Sequence, residues 1–362
     1  MVHIVGTLAG NSVGETIIVG IETDALAARF RRFAERECEQ SPLYWILSRA
    51  VAADRELLGV AAAVRHGPVP NLFLAAVHDL LLRGQGPNLA AHYQTVVGAA
   101  ARPPAAAPTA FRDFVLSARD ELAPALARRL VQTNEVRRAA ILNLALCWLR
   151  AQHKLDAVAL VEVGTSAGLL LATDRYGIRF GPTTTETLDR SALAIESELR
   201  GNCPIASGNA PAFVERIGLD LATLDLSDEA DRRWLRALVW GDQPERLVRL
   251  NAAIEVARST PMTLHEGDAN ELLPEVLDAL PERLPAIVFH SHTLNQFSPA
   301  ARERFDRVLL AASGTRELYR ISMEGRDRRP TCTASVYRDG DLVTSTDLAH
   351  YDAHGAWIAW LT

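Results

Sequence analysis

Residues 158–168 carry the clearest chemical signal in the chain. A short apolar run, Val158-Ala-Leu-Val-Glu162-Val163, holds a single carboxylate and turns through Gly164-Thr-Ser166-Ala-Gly168 into a run of leucines. Small residues at alternate positions let a backbone approach a ligand closely, and a helix starting near Ala167 would aim free N–H groups into the same space. That physics serves a phosphate, a sulfonium cofactor or an oxyanion equally. The same residues also read Gly-x-Ser-x-Gly, the elbow that presents a serine nucleophile, with Asp268 and then His292 or His350 in suitable chain order. Against the elbow, Glu162 would place a charge in the strand feeding Ser166, and no oxyanion loop of His-Gly-Gly type precedes it.

Two other stretches bear groups able to act. His290-Ser-His292 closes an apolar strand pattern, and a histidine titrating near working pH suits proton removal from an acceptor hydroxyl, amine or carboxyl group. As metal ligands the two histidines lack a motivated third partner, since Asp268 and Glu135 have no spacing relation to them, so no metal is expected. Gln132-Thr-Asn134-Glu135 reads either as a helix N-cap or as a lid that sets Asn134 and Glu135 above the edge of a sheet. Tyr44 and Tyr176 suit the walls of such a cleft, or an ordinary core.

The composition bounds the answer. At 362 residues with 48% hydrophobic and 23% charged residues, the chain suits a soluble globular protein of one large or two ordinary domains. A net charge of −6 without a long basic run predicts neither nucleic-acid nor membrane binding. A small-molecule substrate is expected, with a protein partner or self-association left open. Neither a leader pattern nor a spanning apolar stretch is legible, which points to the cytoplasm. Cys38, Cys147, Cys203 and Cys332 are too scattered for a metal or redox pair and read as small core residues. Lys154 is the only lysine, so a P-loop lysine is excluded and fixed positive charge is arginine.

The elements that must position these groups fall into two halves. Residues 1–24 show weak strand-like character around 16–21, as a tail or a small hairpin. Helical periodicity then covers 25–40, a second helix starting at Ser41-Pro42, and 54–65, 71–83, 88–99, 110–119, 121–130 and 135–152. This predicts a helical domain over 1–154. After His153 strands alternate with helices: strands at 158–163, 213–219, 261–266, 285–290 and 317–323, helices at 167–176, 244–259, 271–280 and 299–312, and a closing hairpin over 332–338 and 342–346 followed by 356–361. The segment 177–212, rich in Thr, Gly, Asn and Pro with a short strand over 192–199, reads as an insertion over the site in a second domain spanning 155–362.

That order resembles class I S-adenosylmethionine-dependent methyltransferases over about residues 155–362. Glu162-Val-Gly164-Thr-Ser166-Ala-Gly168 matches the family's acidic-x-Gly-x-Gly-x-Gly motif, with Ser166 where the middle glycine stands. The resemblance implies an α/β fold: a mostly parallel, Rossmann-like sheet with an antiparallel terminal hairpin, preceded by an all-helical domain. It implies S-adenosylmethionine as cofactor, its methionine part wrapped by residues 164–168 and its ribose held by an acid ending strand two, either Asp220 or Glu186. Gly267-Asp268-Ala269 would contact adenine, and the loop His290-Ser-His-Thr-Leu-Asn295 would handle the acceptor. The whole chain is also similar to a bacterial family of unknown function, number 2332, through Ser41-Pro-Leu-Tyr44, Gln132-Thr-Asn-Glu135, residues 162–169 and Asp174-Arg-Tyr176. That family often carries proline where this chain has Gly241.

Overall fold

The computed structural model describes residues 12–132, 135–181, 193–205, 208–326 and 329–362, with the backbone alone for 12–22 and 326. The chain forms two compact units, Met1–Val131 with Arg233–Leu247, and Gln132–Arg232 with Val248–Thr362. Among the described residues no helix is long and apolar enough to cross a membrane.

The first unit is helical. Its opening helix runs Ser12–Arg36, so the strand-like reading of 16–21 is corrected. The β-branched residues there are carried by continuity with the amphipathic turns that follow, because extending a helix costs far less than nucleating one. Phe30 and Phe33 are buried, and Phe30 packs edge-on against Phe73 at 6.0 Å between ring centroids. The start at Ser41-Pro42 is as expected: the Ser41 hydroxyl accepts from the Tyr44 N–H at 3.2 Å, and Pro42 has no N–H to orphan. The helix expected over 88–99 is instead broken into Pro87–Ala90, Gln94–Val97 and a 3-10 turn at Gly98–Ala100.

Residues 233–247 return to this unit and close its polar interior. Asp242 accepts from the Ser41 hydroxyl at 2.6 Å and the Leu43 N–H at 2.9 Å. Trp240 stacks on Tyr44 at 5.3 Å. A side chain at position 241 would run into the Tyr93 ring, which explains the glycine there.

The second unit is a mixed α/β body around one ten-stranded, mostly parallel sheet. The strands are β1 (Ala157–Val163), β2 (Gly177–Phe180), β3 (Ala194–Arg200), β4 (Ala212–Asp220), β5 (Thr263–Glu266), β6 (Ala286–Ser291), β7 (Leu318–Arg326), β8 (Arg329–Arg338), β9 (Asp341–Tyr351) and β10 (Trp357–Trp360). Their spatial order is β2-β3-β10-β9-β8-β7-β6-β1-β4-β5. From β5 through β4, β1 and β6 to β7 every pairing is parallel, while β7 to β10 form an antiparallel meander. The chain leaves β1 for β4 and β5 on one side, then returns to β6 and β7 on the other. In sheets of this kind such a reversal marks the crevice where ligands bind, here at the carboxyl ends of β1 and β6.

Residues 177–212 differ from the expected cover over the site. Their described strands, β2 and β3, join β10 in parallel at the far edge of the sheet. Consequently β4 follows β1 in the parallel series, despite the long intervening segment.

Strand alternation divides the neighbouring side chains. Val161, Val163, Leu219 and Val288 enter a core with Leu273, Leu277, Phe305 and Leu309 from the helices Ala269–Ala279 and Pro299–Ala312. Glu162 takes the opposite side, where the helix Ala139–His153, with buried residues from Ala139 to Leu149, begins beside Arg138.

Candidate functional site

At the end of β1 the chain reverses through Gly164, Ser166 and Gly168, with φ of 81°, 53° and 73°. Ser166 therefore adopts the left-handed conformation that a glycine would take most cheaply, which accounts for its place in the motif. The leucine run that follows, Leu169–Arg175, is made of 3-10 turns kinked at Ala172 rather than the α-helix expected over 167–176. The loop thus has no long helix to orient amides behind it.

Glu162 is 2% exposed and accepts from the Thr165 hydroxyl at 2.8 Å. Burial pushes its carboxyl well above the usual range, and Asp220 adds to the shift, against the pull of Thr165 and Arg138.

Asp220 ends β4 beside this loop. One carboxylate oxygen accepts from the Ser166 N–H at 2.8 Å, and the other from Ala222 N–H and Gln132 Nε2, both at 3.1 Å. Burial raises its pKa, opposed by these donors. Glu266 ends the neighbouring β5 and accepts from the Thr223 N–H at 3.2 Å. Asp268 lies two residues on and caps the helix Ala269–Ala279 through the Asn270 N–H at 2.8 Å. Its side chain is 40% exposed, 3.7 Å from Arg304, and Ala269 follows it as the first helical residue. Glu186 lies outside the described residues.

Across the crevice, β6 ends in the two histidines, and they differ sharply. His290 is fully buried, its Nε2 accepting from Arg320 Nε at 3.0 Å and its Nδ1 on Glu324 Oε1 at 2.7 Å. Since Arg320 always donates, the proton of the neutral ring sits on Nδ1 and points to Glu324. Burial, with Arg320 nearby, lowers the His290 pKa despite Glu324. Glu324 Oε1 also accepts from the Thr293 and Leu294 N–H groups at 2.9 and 3.1 Å. His290 is expected as a cofactor contact, but both of its nitrogens are spent on holding the loop after β6, so any contact it makes is indirect.

His292 is half-buried in a left-handed conformation, φ 54°. Its Nε2 lies 3.0 Å from the Tyr351 hydroxyl. Burial and the neighbouring charge of Arg138 push its pKa down to about 4, so it is neutral at pH 7. Arg138 also donates to the Ala353 carbonyl at 2.9 Å and the Ser291 hydroxyl at 3.2 Å. Glu135, 4% exposed, caps the turn before Ala139 by accepting from the Arg137 N–H at 3.2 Å, with His354 at 3.6 Å. Asn134, paired with it in the sequence reading, lies outside the described residues.

Thr293 fills the space over Gly164, and any side chain at 164 would collide with it. Gly168 is likewise pressed by Met262, and Gly218 by Thr165.

Two expected wall residues are placed differently. Tyr176 is 2% exposed and donates to the Leu169 carbonyl at 2.6 Å, so it braces the turn from beneath. Tyr44 belongs to the helical unit, 1% exposed under Trp240. The Ser166 hydroxyl meets the Gln132 carbonyl at 3.5 Å, and no described histidine hydrogen-bonds to it. His350 instead meets the Thr331 hydroxyl at 3.2 Å. Among the described residues no group of three His, Cys, Asp or Glu is placed to hold a metal ion.

Sequence reasoning missed Arg138, Glu324 and Tyr351. Arg138 had a signal, a charge entering an otherwise apolar helix, and Glu324 another, a carboxylate closing an apolar strand. Tyr351 had none, and Thr293 belongs to the expected acceptor loop but nothing local signals its place over Gly164, because the partners are 59 and 129 residues away in the chain.

A family model described as "Uncharacterized protein conserved in bacteria (DUF2332)" matches residues 27–360. No curated protein and no solved structure matches.

Proposed function

We propose, for a chain that belongs to the DUF2332 family of bacterial proteins, that the crevice at the ends of β1, β4 and β6 binds S-adenosylmethionine and serves methyl transfer to a small molecule. The observation that carries the reading is the position of Asp220. It ends the parallel strand beside β1, facing the 164–168 turn, and with three donors already on a carboxylate of roughly four acceptor positions it keeps room for one ribose hydroxyl.

The donor set fits the nucleoside half of this cofactor. Asp220 would hold the ribose and Asp268 with Ala269 the adenine, while Glu162, Gly164, Ser166 and Gly168 shape the turn beside them. When bound, the cofactor supplies a methyl group already activated by its sulfonium. The protein's contribution is then alignment and exclusion of water. His292 is neutral and shares a hydrogen bond with the Tyr351 hydroxyl, which suits orienting an acceptor hydroxyl or amine. A conjugate acid titrating near 4 makes it a weak base, so we assign it orientation of the acceptor rather than removal of its proton.

Isothermal titration with S-adenosylmethionine and S-adenosylhomocysteine tests the proposal. Both ligands should bind, and Asp220→Asn should weaken each by about tenfold or more, the equivalent of one hydrogen-bonded contact of about 1.4 kcal/mol. Failure of both to bind the wild type overturns it.

One observation favours a second reading, nucleoside binding without methyl transfer. Thr293 occupies the space over Gly164 where the methionine part would be wrapped. In that case adenosine binds as tightly as S-adenosylmethionine, and Thr293→Ala does not separate the two affinities.

A further inference from the structure

The middle of the sheet carries a polar cavity remote in sequence from the β1 turn. It has a volume of about 260 Å³ and is bounded by the helix Pro299–Ala312 and by β7, β8 and β9. The register explains its chemistry. Arg320 pairs across with Ser335, and Ser335 with Ser345; Ser322 pairs with Thr333, and Thr333 with Asp347. Two polar rungs therefore cross three strands on one face. On the opposite face of β7 and β8, Tyr319, Ile321, Met323, Cys332 and Ala334 are buried in the usual apolar way.

The polar groups are held rather than loose. Arg320 has Nε on His290 and Nη1 on Asp306 at 2.9 Å, with its guanidinium 5.2 Å from the Phe305 ring. The Ser335 and Ser345 hydroxyls meet at 2.9 Å, and Thr333 donates to Asp347 at 2.6 Å. Thr333 and Ser335 are 3% and 6% exposed, so these hydroxyls are spent on a wall rather than on open surface. Leu310, Tyr337 and Leu342 add an apolar side.

We propose that this cavity is a binding site for a neutral polyhydroxylated small molecule of monosaccharide size. A ring of hydroxyls that both donate and accept matches a ligand whose own groups do the same. The apolar side suits the C–H face of such a ring. An apolar ligand would leave the second acceptor positions of these hydroxyls unmatched. An anion finds no net field, because Asp306 neutralises Arg320. The volume lies just under the roughly 300 Å³ at which pockets for drug-sized ligands begin.

Ligand-observed NMR with D-glucose, D-ribose and myo-inositol, and D-glucose 6-phosphate as the anionic comparison, tests the site. At least one neutral polyol should give saturable binding that falls at least tenfold in Ser322→Val and in Ser345→Leu, each of which narrows the cavity from a different strand. Ser345 is exposed on β9, so the second variant keeps the fold even if the first does not. Asp220→Asn should leave this binding unchanged, which separates it from the crevice at β1. The proposal is overturned if no polyol saturates, if binding survives both narrowing variants, or if only the phosphate binds.

Discussion

At Gly164 the absence of a side chain serves two needs at once, a φ of 81° and room for Thr293. Gly164→Ala should cost about 2–4 kcal/mol of unfolding free energy, the sum of a left-handed backbone and an overpacked contact. Adding Thr293→Ala should recover part of this by removing the hydroxyl and methyl that collide, and a double-mutant cycle in urea measures the recovery. No coupling would mean the loop relaxes away from Thr293. Glu162 gives a second residue-scale expectation. Its folded pKa is raised from 4.5, so the folded state holds the proton more tightly than the unfolded one. The stability this contributes is complete at acid pH and is lost as pH rises through the folded value. Glu162→Gln should therefore flatten the fall in stability towards alkaline pH, and identical profiles for the two proteins would refute the assignment.

At the scale of elements, caps and strand order decide which side chains meet. Ser41 starts the helix Pro42–Ala53 and also donates to Asp242, 201 residues later. Ser41→Ala should cost more than the ~1 kcal/mol typical of an N-cap, about 2–3 kcal/mol, because Asp242 loses a donor. Ser41→Thr keeps the hydroxyl and should lose less; thermal unfolding of the two variants distinguishes cap from partner. In the sheet, the pairing of β4 with β1 brings Asp220 to the Ser166 N–H. A register slip of one residue would turn its carboxylate to the other face. The 3-10 turns of Leu169–Arg175 are held at their start by the Tyr176 hydroxyl on the Leu169 carbonyl, a contact that the leucine pattern does not announce.

For the molecule as a whole, two buried histidines weaken the fold in acid, against the raised carboxyls of Glu162 and Asp220. His78 in the helical unit and His292 in the sheet unit are both pushed from 6.5 down to about 4, chiefly by burial. The unfolded chain binds their protons first, so stability present near neutrality is lost as pH falls from 6.5 towards 4, by up to about 3 kcal/mol for each. Urea midpoints across this range should shift towards lower stability by more in the wild type than in His292→Asn. Equal slopes would show that His292 stays neutral in both states.

Much of this molecule is legible in its sequence, because periodicity reports which side of an element is buried. The helical first half, the strand-helix alternation after His153, the Ser41 start and the turn at Gly164 to Gly168 all follow from local patterns. The sequence changes character near residue 155, yet the sheet unit begins at Gln132, and residues 233–247 return to the helical one. Those assignments depend on which apolar faces meet, a choice periodicity does not contain. The same holds for the site. Glu162 and Asp220 are visible as carboxylates ending strands, but only pairing across 54 residues sets Asp220 on the Ser166 amide. Only packing spends His290 on Arg320 and Glu324, and seats Thr293 over Gly164. Residue types determine what chemistry is available here, and long-range contacts, whose cost and reward lie far apart in the chain, decide which of it is assembled.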